Sequence, residues 1–454
     1  MIVIKFGGTS VGDAERVANA IDIVAERRHL NPIVVVSALA GVTNDLVAAT
    51  EAACAGDDAR VNEIIDRVRQ RHEDVALRLV QQRTDFFETF VKRLDKQIAE
   101  IHTILRNITL LREVTPRARD RAISIGEKLS SVLFAYSMMM RALPGEFVEA
   151  EDVIWTNDHF GGATPRMDLT TEAARKTLLP IVERNHIPVL GGFIGRTIDG
   201  ATTTLGRNGS DYSAAIVAAA VGADEVQIWT DVDGLLTCDP RFVPSARVID
   251  HLSHEEAAEL ASFGAKLHPR TLEPAIEAGI PVRILNTHNP ASPGTLITRE
   301  GTNSTGPRSV ARKRNVTVIH MTSNKMLGAH GFLAKLFHVF EALKISVDLI
   351  ATSEVSVSVT VDERHDLDEL KAGLSGVADV EVIDDQCIIA IVGRNLLADA
   401  LAGARVFEAL RGVPMQMLSL GRSGLNLSIV INDADSDRAI QRIHHALFEQ
   451  AVAV

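Results

Sequence analysis

Aromatic side chains are scarce in this chain: they make up 4% of its 454 residues, with two Trp and two Tyr. Ala, Val, Ile and Leu must therefore fill most of the interior. Cysteine is rarer still. Cys54, Cys238 and Cys387 lie far apart, which excludes a disulfide framework, offers no metal-ligand spacing and suits a reducing compartment. No apolar run reaches the roughly 18 residues that a membrane helix needs. An excess of basic charge is also missing. The 47 Lys and Arg are outnumbered by 59 Asp and Glu, a net charge of −12, which argues against a nucleic-acid partner. It does not argue against a bound nucleotide, because a few local cations suffice for phosphates. The sequence opens directly on a strand-like run, so no secretory leader is expected and the protein reads as cytoplasmic. What is present is ordinary for a globular protein: 46% apolar and 23% charged residues, and length enough for two or three domains.

Up to about residue 300, short β-branched runs alternate with amphipathic helical ones. Ile2–Phe6, Pro32–Ser37, Pro188–Phe193, Glu225–Thr230 and Pro281–Leu285 read as strands, and Ala14–Arg27 and Asp211–Val221 as helices. This alternation predicts an α/β fold with a largely parallel sheet and helices on both faces. Ligands of such sheets bind outside the carboxyl ends of the strands. Residues 60–140 carry apolar positions every three or four residues, broken at Pro116, and predict a helical insert with Arg67, Arg69, Arg71 and Lys92 on a solvated face. Glu300–Arg314 is polar, holds Gly301, Gly306 and Pro307, and reads as a linker. Beyond it, strands Val316–Met321, Ser346–Ala351 and Val355–Val361 surround the helix Gly331–Leu343. A similar unit follows, with strands Cys387–Gly393, Val413–Ser419 and Asn426–Ile431 and helices Leu396–Leu410 and Asp435–Phe448. Two α+β repeats of this size predict ferredoxin-like modules. The spacing leaves open whether a strand after Phe448 returns to the first repeat.

Several segments carry candidate chemistry. In Lys5-Phe6-Gly7-Gly8-Thr9-Ser10 a strand delivers a lysine, two glycines and two hydroxyls to the start of a helical pattern. Glycines let the backbone approach an anion, and a helix start offers it free N–H groups. The lysine precedes the glycines, so this phosphate cradle differs from a Walker A loop. Standing alone, a Gly-Gly turn is more often only a turn. Ser37 and Thr43 line a second strand end, which alone reads as a strand-to-helix turn. Gly206-Arg207-Asn208-Gly209-Ser210-Asp211 opens an Ala-rich helix. Ser210 or Asp211 fits an N-cap, whereas Arg207 suits a bidentate grip on carboxylate or phosphate. Thr230 and Asp231 end another strand, Asp233-Gly234 fits a tight turn, and these with Arg241 suit a nucleoside and its phosphates. Lys266 is a second lysine after a small-residue turn, a residue type most often found on surfaces. Glu127 reads as an acid at the start of a helix, where the dipole favours it.

Together these segments carry a resemblance. Lys5–Val11 (KFGGTSV), Ser37–Asn44 (SALAGVTN), Gly206–Ala215 (GRNGSDYSAA), Trp229–Gly234 (WTDVDG) and Gly264–Thr271 (GAKLHPRT) resemble the aspartate kinases of the amino acid kinase family, in this order and over essentially the whole chain. The tail, with Gly331–Ala334 and Ile345–Val357, resembles the paired ACT regulatory domains of the lysine-sensitive, monofunctional type. The resemblance implies an amino acid kinase fold over residues 1–299, a linker at 300–314, and two ferredoxin-like ACT domains (βαββαβ) at 315–384 and 385–454. It implies transfer of the ATP γ-phosphoryl, with Mg²⁺, to the side-chain carboxylate of L-aspartate. That carboxylate, with a reference pKa near ~3.9, is ionised at neutral pH and needs no general base. Catalysis is then charge cancellation and in-line positioning. By the family's pattern Lys5, Lys266 and Asp211 are catalytic; Ser37, Thr43, Glu127, Arg207 and Ser210 meet aspartate. Lys5, Gly7, Gly8, Thr9, Thr230, Asp231, Arg241 and Lys266 bind ATP. L-Lysine is implied as effector at Met326, Phe332, Leu333, Ser346, Val347, Asp348, Ser353 and Glu354, with a homodimer through the ACT domains and a tetramer left open. No resident metal, nucleic acid or membrane is implied.

The chain departs from the family's pattern in places. Asn208 stands where glycine is usual, and Asn tolerates left-handed backbone. The Phe263–Pro269 segment is one residue short, Leu236 replaces a common tyrosine, and Gly328 and Ala329 replace polar effector-segment residues. Two other readings stand beside the kinase: a catalytically weak ACT-type amino-acid sensor, and another amino acid kinase such as a glutamate or acetylglutamate kinase. The intact Lys5, Glu127, Arg207 and Asp211 count against the first, and the ACT pair and Ser37–Asn44 against the second.

Overall fold

The computed structural model describes all residues except 81–84, 265–268, 303–304, 363–366, 397–399, 422 and 450–454. The chain forms two compact units: Met1–Leu235 with Asp250–His254 and His268–Gly301, and Leu236–Ile249 with Glu255–Leu267 and Thr302–Val454.

The first unit is built on strands β1 (Ile2–Phe6), β2 (Pro32–Val36), β3 (Gly145–Val148), β4 (Ile187–Gly191), β5 (Ile194–Arg196), β6 (Thr202–Thr204), β7 (Glu225–Thr230), β8 (His251–Ser253), β9 (Val282–Asn286) and β10 (Thr295–Thr298). Eight form one sheet in the order β3-β4-β2-β1-β7-β9-β10-β8, parallel as far as β9 and antiparallel between β9 and β10. β5 and β6 form a separate hairpin. β1, β2 and β4 are buried at every residue, as unbroken apolar runs in a parallel sheet covered on both faces must be.

The helices are α1 (Ala14–Glu26), α2 (Val42–Ala55), α3 (Asp58–Val80), α4 (Asp85–Leu111), α5 (Pro116–Met140), α6 (Met167–Glu183), α7 (Gly209–Val221), α8 (His254–Ser262) and α9 (Pro269–Glu277). Asp13 caps α1 by accepting the Arg16 N–H, and Gly56 and Gly222 end α2 and α7 with φ of 74° and 71°. Pro116 does not interrupt a helix but opens one, next to the Thr115 cap of α5. α3, α4 and α5 are the expected helical insert. Their Ile64, Leu94, Ile101 and Leu129 share one core with Ile4, Phe6 and Val34. The alternate strand residues Val3, Ile33 and Val35 are equally buried, on the side of α6 and α7.

The second unit carries β11 (Gly306–Thr322), β12 (Ile350–Thr352), β13 (Ser356–Asp362), β14 (Asp379–Arg394), β15 (Met415–Leu420) and β16 (Asn426–Asn432). With them run α10 (Phe332–Ala342), α11 (Leu367–Leu374), α12 (Ala400–Ala409) and α13 (Ser436–His444). The strands form one antiparallel sheet, β12-β13-β11-β14-β16-β15. β11 and β14 are long enough to serve both repeats. The later part of β11 pairs with β13, while its earlier part pairs with β14 from Gly306↔Arg394 to Lys313↔Ile388. The second repeat therefore takes a strand from ahead of the first.

This corrects the linker reading of 300–314. Gly306–Arg314 is strand, and its polar residues are engaged: Arg312 pairs with Asp437 and lies 3.7 Å over the Phe242 ring, while Ser309 and Val310 are buried. The expected strand Ser346–Ala351 is shortened to β12. A returning strand after Phe448 falls on 450–454, outside the described residues. All three thiols are unpaired. Among the described residues, no helix is long and apolar enough to cross a membrane.

Candidate active site

The parallel register brings five strand ends side by side: Phe6 is level with Val36 and Trp229, Val36 with Gly191, and Thr230 with Asn286. Gly7 to Thr9, Ser37, Gly192, Thr230 and Asp231 follow directly on these ends, so segments far apart in sequence share one sheet edge. Strand alternation decides where Lys5 points. Ile4 and Phe6 face the insert, and Lys5 faces α7. There Lys5 Nζ lies 2.5 Å from Asp211 Oδ1, a nearly buried ion pair in the first turn of α7. The helix N-terminus favours that carboxylate.

Missing side chains make room for this arrangement. A Cβ on Gly7 would lie 3.5 Å from Lys5 Nζ, and one on Gly8 3.0 Å from the Ala38 carbonyl oxygen. The Gly7 N–H donates to the Trp229 carbonyl at 3.2 Å, so it is committed to the fold and is not one of the expected phosphate donors. Gly8 instead opens a single 3₁₀ turn with Thr9, whose leading N–H groups lack intrahelical partners. Gly192 was not singled out by the sequence. A Cβ there would sit 2.6 Å from Ser210 Cβ, so the start of α7 packs directly on the end of β4. The Gly-Gly pair after a strand, like that at Gly7-Gly8, was the available signal. Asn208 takes the left-handed conformation, φ 56°, that its position requires.

Glu127 lies in the middle of α5, not at a helix start as its sequence context suggested. It is buried, Oε2 has no partner, and a backbone bond from Ala38 ties its carboxyl to the turn after β2. Burial dominates and pushes this carboxyl up to about 8, against the weaker pull of those backbone bonds. Gly126 and Gly191 permit the fit, since Cβ atoms there would lie 3.0 Å from Ala38 Cβ and from the Glu127 carbonyl oxygen.

Ser37 and Thr43 are half-buried beside this turn, Ser210 is buried next to Asp211, and Thr9 is exposed. Arg207 is exposed and has no hydrogen-bond or ion-pair partner among the described residues. Thr230 Oγ1 donates to Asp231 Oδ1 at 3.2 Å, and its carbonyl accepts from Thr287 N and Oγ1. The following turn is pinned by Asn286 and Asn289, whose side-chain amides donate to Asp233 at 2.8 and 3.1 Å. Arg241 falls in the second unit, exposed and paired with Asp239 at 2.5 Å. Lys266 lies outside the described residues.

Of the effector-segment residues, Phe332 packs into an apolar cluster with Leu336 and Phe340, which makes it a core residue and not a free contact, while Val347 is half-buried against that cluster. Met326 packs at the edge of that cluster; Leu333, Ser346, Ser353 and Glu354 are exposed, with Ser353 Oγ 2.7 Å from Ser356 Oγ. Asp348 is already engaged, 2.7 Å from Lys313 Nζ, which also lies 2.8 Å from Asp362.

The sequence profile of the amino acid kinase family matches residues 1–286, and that of the ACT domain matches 319–368 and 389–447. Lysine-sensitive aspartokinase 3 of Escherichia coli is 37% identical over 99% of each chain. Chloroplastic aspartokinase 2 of Arabidopsis thaliana is 38% identical over 98% of this chain and 84% of its own. Solved structures of E. coli aspartokinase III are 36% identical and cover 99% of this chain and 100% of theirs. The complex with lysine and aspartate (T-state) matches with a TM-score of 0.84. The complex with aspartate and ADP (R-state) matches with 0.82. The chain belongs to the amino acid kinase family, and within that family to the aspartokinases.

Proposed function

We propose that this chain transfers the γ-phosphoryl group of ATP to the side-chain carboxylate of L-aspartate, yielding 4-phospho-L-aspartate and ADP. The observation that supports it best is the Lys5–Asp211 pair at the glycine-lined strand ends, with the buried carboxyl of Glu127 at the adjoining turn. The E. coli relative binds aspartate and ADP, the ligands this reading requires. A carboxylate oxygen attacks the γ-phosphorus while the bond to the bridging oxygen breaks, and its electrons leave with ADP. The obstacle is bringing one anion to another, so the work is charge cancellation. Lys5, oriented by Asp211, meets the transferring phosphoryl, with Gly8 and Thr9 at the close approach of the backbone. Thr230 and Asp231 are assigned to the nucleotide. The guanidinium of Arg207 holds the α-carboxylate of aspartate, the Glu127 carboxylate holds its ammonium, and Ser37, Thr43 and Ser210 line the pocket.

Mg²⁺ fits as a companion of the nucleotide. Among the described residues no group of three or more acids, His or Cys forms a protein cage, and Mg²⁺ is commonly held by one or two carboxylates with substrate phosphates. When bound it neutralises charge on those phosphates. We assign the reaction to residues 1–299 and feedback by L-lysine to the repeats at 315–384 and 385–454, in a cytoplasmic homodimer joined through its ACT domains. Met326, Leu333, Ser346, Val347, Asp348, Ser353 and Glu354 remain as the effector contacts. The test is acyl phosphate formed from ATP, Mg²⁺ and L-aspartate, trapped with hydroxylamine, with and without millimolar L-lysine. Product that lysine suppresses is expected. Product indifferent to lysine removes the effector assignment, and no product from folded protein removes the kinase assignment.

A further inference from the structure

We propose that Asp120 on α5 is a positioning residue for the aspartate subsite: it fixes the loop that carries Arg207 to the helix that carries Glu127. This rests on the kinase reading above. Asp120 is 1% exposed. Its Oδ2 accepts the N–H groups of Gly161 at 2.9 Å and Thr204 at 2.8 Å, and its Oδ1 accepts the Thr204 hydroxyl at 2.8 Å. One carboxylate thus ties two segments, remote in sequence, to α5. Thr204 ends β6 and stands three residues before Arg207. Gly161 belongs to the loop that runs back along the same stretch, where Ala163 N–H donates to the Thr204 carbonyl at 2.8 Å.

The tie leaves the Arg207 loop little freedom. Gly161 and Gly206 both have left-handed φ, 85° and 78°, and a Cβ on Gly206 would lie 3.2 Å from the Gly161 carbonyl oxygen. Asp120 and Glu127 are seven residues apart on one helix, close to two full turns, so they share a face about 10 Å apart. A second tie runs beside the first: Lys128 Nζ lies 2.9 Å from Glu151, which accepts the Thr202 hydroxyl at 2.6 Å. Mere packing would not need an acid here, because the same turn of α5 buries Ala122, Ile123 and Ile125. A buried carboxylate costs desolvation, and burial duly pushes the Asp120 carboxyl above its ordinary value. Fixed direction is what the hydrogen bonds add, and Arg207 needs it because its own guanidinium has no partner among the described residues.

The experiment compares Asp120→Ala, Asp120→Asn and Thr204→Val with the full-length enzyme, reading KM for aspartate, KM for ATP, kcat and amide hydrogen exchange in residues 204–210. Asn is the rescue variant: its amide oxygen can accept both N–H groups, and its NH₂ can donate to the Thr204 hydroxyl. Asp120→Ala is expected to raise KM for aspartate about 10-fold or more, as misplacement of a substrate clamp does. KM for ATP stays within about 2-fold and exchange in 204–210 quickens, as for a local loss of hydrogen bonds. Asn should recover most of the aspartate affinity, and Thr204→Val, which keeps the backbone bonds, should give a smaller change of the same kind and serves if Asp120→Ala does not fold. Equal rises in both KM values, or faster exchange with unchanged aspartate KM, would overturn the proposal by making the tie merely structural. If the unmutated enzyme makes no phosphoaspartate, the kinase reading fails by itself, and exchange in 204–210 that ignores Asp120→Ala then overturns the tie as well.

Discussion

The two units handle charge in opposite ways. In the first, the central strands β1 and β2 are apolar but for Lys5, and the charged groups of the candidate site gather at or next to strand ends: Lys5 with Asp211, Glu127 at the turn after β2, Arg207 before α7. In the second, charges lie along the strands themselves, with Arg312 and Lys313 inside β11 and paired to Asp437, Asp348 and Asp362. A parallel sheet covered on both faces has nowhere to put a charge except its ends, so its chemistry is concentrated there. An antiparallel sheet with accessible edges spreads its charges as structural links. Single charge deletions should therefore stop chemistry in the first unit and adjust stability or ligand response in the second.

The largest effect is expected at Lys5. Lys5→Ala should lower kcat at least about 100-fold, as loss of a transition-state charge clamp does. Turnover within a few-fold of normal would remove Lys5 from the mechanism. Next comes Glu127→Gln, which should raise KM for aspartate about 10- to 100-fold, in keeping with loss of a charge-assisted contact. The pH dependence sharpens this. With its carboxyl pushed up to about 8, Glu127 is largely protonated at neutral pH in the free enzyme, and the aspartate ammonium needs it ionised. KM for aspartate should fall as pH rises from about 6 to 8, and the Gln variant should lose that dependence. Stability runs the other way. A carboxyl raised from 4.5 to about 8 contributes stability that is complete below 4.5 and is lost as pH rises through 8, so the ligand-free Tm of the unmutated protein should decline across that window relative to Gln. Parallel curves for the two proteins would show that Glu127 titrates normally.

Gly192→Ala should act more through packing. Its Cβ would meet Ser210 Cα and Cβ at 2.7 and 2.6 Å, neither of which can rotate away. A cost of about 1–3 kcal/mol is expected from the overlap, together with lower activity as the start of α7 moves. A Tm and kcat unchanged by the substitution would mean that β4 and α7 are loosely joined. Arg312→Ala makes the contrasting change in the second unit. It removes a buried guanidinium from Asp437 and from the Phe242 ring, but Asp437 is largely exposed, so about 1–2 kcal/mol is expected. Basal kinase activity should hold while the denaturation midpoint falls. Loss of basal activity at an unchanged midpoint would erase the contrast between the units.

What the sequence disclosed follows the same division. β1 and β7 were legible to the residue, because a short run rich in β-branched and large apolar residues with a sharp glycine or Asp boundary is a strong local signal. Asp120 was not legible at all, since its partners Gly161 and Thr204 come close only through the fold. Glu127 was recognised but misplaced at a helix start: Thr115-Pro116, the true start, lies more than three turns earlier, and nothing at Gly126 interrupts the helix. In the second unit the polar run Gly306–Arg314 looked like a linker because its arginines find partners only in tertiary structure. Local pattern identifies elements whose burial is uniform, and it fails where a strand's charges are paired from afar.

The smallest effect tests the effector assignment. Lys313 Nζ lies within 2.8 Å of both Asp348 and Asp362, and although burial alone would lower its pKa, these two carboxylates raise it overall. An internal ammonium thus already occupies the carboxylate assigned to the ammonium of the lysine effector. If both compete for Asp348, Lys313→Met frees it, and L-lysine should inhibit at a lower concentration. The pair is partly exposed, so the gain is bounded by about 1 kcal/mol, or roughly 5-fold in half-inhibitory concentration. A shift to weaker inhibition would instead make the Lys313–Asp348 pair a support of the effector-binding conformation. No shift, with lysine still inhibiting, would remove Asp348 from the effector contacts and leave Glu354 as the acid to test.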